Sequence, residues 1–408
     1  MPYFIILSAL FFIGGQFYAY FRLWHIIPCV WLRWVVIAIA VTAAIFFFLS
    51  MFLGDRLPIN VTSIMYKTGS TWFFILLELI VFFLLMDLLR LLPFLRISGL
   101  LYNSWAGFAG TVVLIGGMMV YGNINYFTPK RTEITVKMPI NSYFTPQLSS
   151  IKAVFMSDLH IGYNISADEI AKWVSLVNKE NPDIILFGGD IIDNSTRPLF
   201  ADSSIAPLFR SLKARYGIYG VLGNHEYISQ RGRTIKNSTD PTYREIQEAA
   251  ATAESELSNT GLPEVERFYR EAGITLLRDT TINIAGYLLI TGRDDYSNPQ
   301  RNSLEALLAV IPDTVRRTLP LVLLDHQPRN FNETAANGFT LQLSGHTHAG
   351  QLIPVSWITR LMYENNYGLL EKAATTFYVT SGLGIWGGKF RIGTKSEYVI
   401  VNLDLSPL

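Results

Sequence analysis

The first 127 residues are almost wholly apolar, and this constrains the fold more than any other feature of the chain. Four stretches of bilayer length follow one another there: 3–20, 34–53, 72–92 and 100–122. A helix needs about 20 apolar residues to cross the hydrocarbon core of a membrane, and in lipid the backbone must satisfy its own hydrogen bonds. The sequence therefore predicts an all-α region of four transmembrane helices over residues 1–127, and with it a multi-pass protein of the cell membrane. Trp24, Trp31 and Trp34 cluster at one end of these stretches, as an interfacial aromatic belt would. The first stretch lacks the basic leader and small-residue cleavage site of a signal peptide.

Four spans would put both ends of this region on one side of the membrane. Arg22, Arg33, Arg90 and Arg96 lie in the first and third loops with no acid among them, while the second loop sets Arg56 and Lys67 against Asp55. The positive-inside rule then places the arginine loops in the cytoplasm and the rest of the chain outside it. Lys130, Arg131 and Lys137, just after the last stretch, pull the other way. Glu78 and Asp87 fall inside the third stretch, where an acid is a functional suspect by default. A structural reading pairs Glu78 with Asn103, Ser104 or Thr111 and Asp87 with Arg90; no second acid, histidine or broken helix marks a conduction path.

At 408 residues the chain is too long for one ordinary domain, and residues 128–408 have the composition of a soluble one. The net charge of +1 gives no field to attract nucleic acid, and the single cysteine, Cys29, excludes an internal disulfide. Thr132–Met138 alternates as a half-buried strand does. Short apolar runs follow, each ending in a polar cluster. Ala153–Met156 leads to Asp158, Ile184–Phe187 to Asp190, Ile218–Leu222 to Asn224, Leu321–Leu324 to His326, and Leu341–Leu343 to His346. Helix-like stretches such as Ala167–Asn178 and Ser303–Leu308 lie between them, so an α/β domain with a central sheet is expected. Ligands collect beyond the carboxyl ends of strands in such sheets, where every one of these clusters would sit.

The clusters are Ser157-Asp158-Leu159-His160, Gly188-Gly189-Asp190-Ile191-Ile192-Asp193, Gly223-Asn224-His225-Glu226, Asp325-His326 and Gly345-His346-Thr347-His348. Imidazole nitrogens with carboxylate oxygens and no thiol are the donors of a hydrolytic metal site suited to manganese, iron or zinc. They are too many for one ion, and two ions sharing a carboxylate would use them all. In extended backbone the side chains at i and i+2 point the same way, so Asp158 would face one ion with His160, and His346 with His348. Gly188, Gly189, Gly223 and Gly345 would allow sharp turns and close approach of the backbone. Asp193 either serves the site or caps the turn that follows it. Between residues 229 and 271 lies an insertion in which Tyr243, Ile246, Ala250, Ala253 and Leu257 form one apolar stripe within Thr242–Asn259, either a surface helix or a lid over the site.

Asp-x-His, Gly-Asp-x-x-Asp, Gly-Asn-His-Glu, a lone His and Gly-His-x-His, in this order over roughly residues 150–405, resemble the calcineurin-like metallophosphoesterases. Gln351, Ser381-Gly382-Leu383-Gly384 and Arg391-Ile392-Gly393 look like the membrane-associated branch of that family. Ala349 stands where glycine is common, and the 229–271 insertion exceeds the usual connection. The resemblance implies a sandwich of two mixed β-sheets flanked by helices, and two divalent ions. Asp158, His160 and His348 would hold the first, Asn224, His326 and His346 the second, and Asp190 would bridge them. His225, oriented by Asp193, would give the leaving group its proton. The expected activity is hydrolysis of a phosphoester, whether monoester, diester or pyrophosphate, with a lipid-linked substrate favoured by the apolar region. A nucleotide phosphodiesterase is the alternative within this chemistry; a transporter or scaffold with a regulatory domain is the alternative outside it. A long nucleic-acid substrate is not expected, for want of a basic, aromatic-rich stripe.

Overall fold

The computed structural model describes residues 2–92, 94, 97–139, 148–230 and 262–406, with side chains from Phe12 onward apart from Asp55 and Gln230. The chain divides into two compact units: residues 1–124 with 387–392, and residues 125–386 with 393–408.

The first unit holds four helices: α1 (Pro2–Ile26), α2 (Val30–Leu53), α3 (Ile59–Leu89) and most of α4 (Trp105–Phe127). Among the described residues three of these, α2, α3 and α4, are long and apolar enough to cross a membrane, not the four expected. The first expected stretch lies in α1, of which the described side chains include Gln16, Arg22 and His25. The outward faces of α2 and α4 are apolar, with Trp34, Ile39, Phe52, Val113 and Val120 all exposed, as a lipid-facing surface requires. Inside, small residues let helices close up: a Cβ on Gly69 of α3 would run into the backbone of Phe47 in α2.

The partners expected for the two acids are not those found. Asp87 pairs with Arg22 of α1 and accepts a hydrogen bond of 2.7 Å from the Tyr18 hydroxyl, while Arg90 turns to the Tyr102 hydroxyl. An ion pair between helices serves Asp87 better than one with Arg90 at the end of its own helix, because Arg22 is itself buried and needs a counter-charge. Asn103 accepts from Arg33, the Ser104 hydroxyl caps the start of α4, and Thr111 donates to the carbonyl of Gly107, so none of the three meets Glu78. Glu78 is buried.

The second unit is built on two six-stranded mixed sheets. The strands are β1 (Lys130–Lys137), β2 (Ser150–Met156), β3 (Ile184–Phe187), β4 (Ile218–Gly220), β5 (Thr275–Leu276), β6 (Thr280–Ile284), β7 (Leu288–Gly292), β8 (Leu321–Leu324), β9 (Leu341–Ser344), β10 (Gly368–Lys372), β11 (Thr375–Val379) and β12 (Glu397–Asp404). The first sheet runs β1-β12-β2-β3-β4-β5 and the second β10-β11-β9-β8-β7-β6. Within them β2 to β5 are parallel, as are β7, β8, β9 and β11, so the carboxyl ends of each set lie along one rim.

Alternation along each strand explains the layering. In β2, Ile151, Ala153 and Phe155 face a core shared with Val322, Leu324, Leu341 and Leu343 of the second sheet. Val154 and Met156 face the other way, onto Ile170, Trp173 and Val177 of the helix Ala167–Lys179. On the second sheet, Leu321 and Leu323 pack on Leu304, Leu307 and Leu308 of the helix Leu304–Ala309. Strands buried on both faces read as unbroken apolar runs, which is how they look in the sequence. Each fully buried Leu, Ile or Phe contributes roughly 1.5–3 kcal/mol, enough to hold the rim in place against strain at its loops. The residues from Thr242 to Asn259, expected as a surface helix or a lid, lie outside the described residues.

Candidate metal centre

The loops that leave β2, β3 and β4 in the first sheet, and β8 and β9 in the second, bring Asp158, His160, Asp190, Asn224, His225, His326, His346 and His348 together. The rim is therefore shared by two sheets rather than being one edge of a single central sheet.

These loops are strained. Asp158 (φ 57°), His160 (47°), Asp190 (50°), His346 (71°) and His348 (51°) all occupy the left-handed region, at a cost of order 1–3 kcal/mol each. Hydrogen bonds between the loops offset it. The amide of Asp158 donates to the carbonyl of Gly189 (3.0 Å), that of His160 to the carbonyl of Asp190 (3.0 Å), and that of His346 to both oxygens of Asp158 (2.9 and 3.1 Å). Gly189 is packed so tightly, at φ 93°, that a Cβ would lie 2.8 Å from both the Gly223 nitrogen and His326 Nδ1. Gly189→Ala is expected to lower both the thermal midpoint and the bound-metal content, read by unfolding and elemental analysis of one sample. A variant that melts and loads as the parent would show that the loop yields without cost.

Among the described residues three groups of acid and imidazole donors have their ligand atoms within 4.8 Å of one another: Asp158, His160 and His348; Asp190, His326 and His346; and His160, Asp193 and His225. In the first, His160 Nε2 and His348 Nε2 face each other at 2.9 Å, and Asp158 Oδ1 is 3.4 Å from His348 Nε2. In the second, His326 Nε2 is 3.1 Å from Asp190 Oδ2, and His346 joins them with its Nδ1 2.8 Å from Asn224 Oδ1. Asp190 Oδ2 is also 3.8 Å from His160 Nε2, so its carboxylate is near both groups. His326 Nδ1 is 2.7 Å from the carbonyl of Gly188, which can only accept; Nδ1 is therefore the donor, and the ring is fixed with Nε2 turned to Asp190.

Asp158 and His160 do fall in one group, though both are left-handed and not extended, while His346 and His348 fall in different groups. Period-two alternation needs extended backbone, whereas here His346 is left-handed and His348 opens a turn of 3₁₀ helix (His348–Gly350), so the two rings part to different groups.

Asp193 is buried with Oδ1 3.2 Å from His225 Nδ1 and 3.5 Å from His160 Nδ1, so it faces the cluster. Burial disfavours a charged His225, but Asp190 and Asp193 outweigh it and raise its pKa to about 9. His326 is likewise pushed down by burial and carried well above its ordinary value by Asp190. His346 moves the other way, to about 3, through burial and the positive charge of His326.

These donors fit a divalent cation. The two imidazole nitrogens facing at 2.9 Å are joined either by a proton on one ring or by a cation between them, and the set is all nitrogen and oxygen. The buried carboxylates hold His326 and His225 above their ordinary pKa, and cations among the donors would supply the same counter-charge.

Sequence reasoning quoted Glu226 within a motif but gave it no role. Its carboxylate is fully buried and accepts from the amides of Asp190 (3.0 Å), Ile192 (3.0 Å) and Gly223 (2.7 Å), pinning two ligand loops together. Burial, with Asp190 nearby, raises its pKa to about 8 despite those donors. Behind His326, buried Asp325 takes Arg301 at 2.8 Å and Arg293 at 3.7 Å. Both arginines come from an irregular segment that no periodicity marks.

A strand-rim cluster of this composition on an αββα sandwich defines a class, the metal-dependent phosphoester hydrolases. Residues 151–350 match the model of the calcineurin-like phosphoesterase family, and the chain carries a metallophosphoesterase domain of that family. Among its relatives, an uncharacterized metallophosphoesterase of Campylobacter jejuni is 27% identical over 296 residues, covering 72% of this chain and 68% of its own. A bovine transmembrane protein with metallophosphoesterase domain is 29% identical over 299 residues, covering 71% of this chain and 61% of its own, so the chain spans less than two thirds of it. A 5'-nucleotidase precursor from Thermus thermophilus aligns over 63% of this chain and 56% of its own at 13% identity and a TM-score of 0.35, a likeness too remote to bear on substrate.

Proposed function

We propose that this protein is a membrane-anchored phosphohydrolase that uses two divalent cations, manganese, iron or zinc, to cleave a phosphoester carried by a lipid-linked molecule. One observation carries the dinuclear reading: the Asp190 carboxylate lies between two donor groups, 3.1 Å from His326 Nε2 and 3.8 Å from His160 Nε2. Asp158, His160 and His348 would hold one cation, Asn224, His326 and His346 the other, and Asp190 both. The lipid-linked substrate is supported by the three apolar helices ahead of the catalytic domain. That domain, 128–408 with its insertion at 229–271, is assigned to the extracytoplasmic side from the arginine-bearing loops of the region 1–127.

When bound, the cations supply Lewis-acid polarisation of the phosphoryl group and acidify a water. The chain's own residues orient and protonate. His225 keeps Nδ1 on Asp193, which leaves Nε2 to hand a proton to the departing oxygen. The amide of His225 donates to Asp190 Oδ1 at 2.8 Å, so the proton donor and the shared carboxylate move as one piece.

His225→Ala is expected to slow an alkyl phosphate by about 10²-fold or more while an activated aryl phosphate loses much less. Equal losses on the two substrates would remove His225 from the proton-transfer role. The reading as a whole is tested by assaying the purified chain with added manganese against phospholipids, nucleotide-linked lipids and aryl phosphates, with elemental analysis of the same sample. A clean preparation that hydrolyses none of them and retains no metal overturns it.

A further inference from the structure

The helix Val355–Met362 is inside out for a soluble domain. It turns Ser356 inward, the residue of this helix that is fully buried, and leaves Trp357 (58% exposed), Ile358 (51%), Leu361 (89%) and Met362 (70%) in the open. At 100° per residue these four fall on one continuous face. The polar side holds the helix to the domain: the Thr359 hydroxyl accepts from Asn366 Nδ2 at 3.1 Å and donates to the carbonyl of Ser356 at 3.2 Å. A monomeric soluble protein does not present Trp, Ile, Leu and Met side by side at no cost, and such a patch marks a contact surface. Arg360 is exposed beside them. Trp with aliphatics on one face and a cation at the border is the composition of a helix that lies in the membrane interface.

We infer that this face docks into the surface of a lipid bilayer and so holds the metal centre against the membrane. Two features favour lipid over another protein. Only Thr128 and Pro129 separate α4, long and apolar enough to cross a membrane, from β1, so the domain cannot leave the bilayer surface by more than a few residues' reach. The helix is also wired to the site. It begins seven residues after His348; the Thr347 hydroxyl, between two candidate ligands, donates to the carbonyl of Asn366 at 2.6 Å; and the Tyr363 ring lies 6.2 Å from that of His346. A substrate whose phosphoester sits in the headgroup layer would then meet the ligands without leaving the membrane. The inference rests on the reading that α4 crosses a bilayer, and the test separates the two.

The full-length chain with Cys29→Ser is given one cysteine at a time, Leu361→Cys, Trp357→Cys, Val113→Cys or Val310→Cys, and labelled with an environment-sensitive fluorophore. Each is reconstituted into vesicles of phosphatidylcholine and phosphatidylglycerol, with or without nitroxide on the acyl chains. Val113 reports α4, and Val310, 81% exposed elsewhere on the domain, reports a surface not expected to touch lipid. Acyl-chain quenching at 361 and 357 comparable to that at 113, and several-fold above that at 310, is the expected result. Quenching at 113 but not at 361 or 357 overturns the docking and leaves the spanning helix intact. No quenching at 113 overturns the spanning helix, and the docking with it. A label at 361 shielded from aqueous iodide yet unquenched by lipid means that protein covers the face, and overturns the proposal in favour of a second copy or another segment of the chain.

Discussion

Asp190→Asn will lower turnover by about 10³-fold and cut the bound-metal content, without unfolding the domain. The size follows from the role. Asp190 is the carboxylate near both donor groups, so removing its charge would take a counter-charge from any cation held by either group. A factor of 10³ corresponds to about 4 kcal/mol of lost transition-state stabilisation. The fold should survive because asparagine has the same shape and its oxygen can still accept the 2.8 Å bond from the His225 amide. Turnover with saturating manganese and metal stoichiometry by elemental analysis check the two halves separately. If Asp190→Asn hydrolyses substrate at the parental rate, the carboxylate is not shared and the dinuclear reading falls.

The parts of this molecule that could be read from sequence are those in which local pattern and burial agree. β2, β3 and β8 sit where four-residue apolar runs end in acids and histidines, because a strand covered on both faces has no polar phase to hide it; β9, Leu341–Ser344, is the weaker case, its run broken by Gln342. β1 shows the opposite case: an edge strand whose alternating burial mirrors its alternating sequence. The candidate ligands were legible as residue types from spacing, but their grouping only through the family resemblance. His346 and His348 are two apart, and their own left-handed backbone sends each to a different set. Long-range pairing was also invisible. Asp87 lies three residues before Arg90, yet it is bound by Arg22 on another helix. The apolar stripe on Val355–Met362 was not marked by the sequence, and the exposure of Trp357, Ile358, Leu361 and Met362 shows that it faces outward.

Glu226→Ala should be the most disruptive change outside the candidate ligands. One buried carboxylate accepts from three backbone amides, those of Asp190, Ile192 and Gly223, on the two loops that carry the shared aspartate and the asparagine. A buried amide left without an acceptor costs roughly 1–3 kcal/mol. Three of them, partly relieved by water entering the space, and partly offset by removing an acid whose burial and proximity to Asp190 already raise its pKa to about 8, leave a net loss of about 3 kcal/mol. For a domain of this size that lowers the thermal midpoint by about 5 °C. Activity should fall further than stability requires, because a displacement of about 1 Å in catalytic groups can cost 10²-fold. Glu226→Gln sorts the causes. One carboxylate oxygen serves both Asp190 and Gly223, so a glutamine can keep that pair and lose only Ile192, giving an intermediate midpoint and intermediate turnover. Melting and steady-state kinetics on parent, Gln and Ala variants should rank in that order. An Ala variant that melts and turns over like the parent would mean that the strained loops are held by the strands alone, and that Glu226 pins nothing.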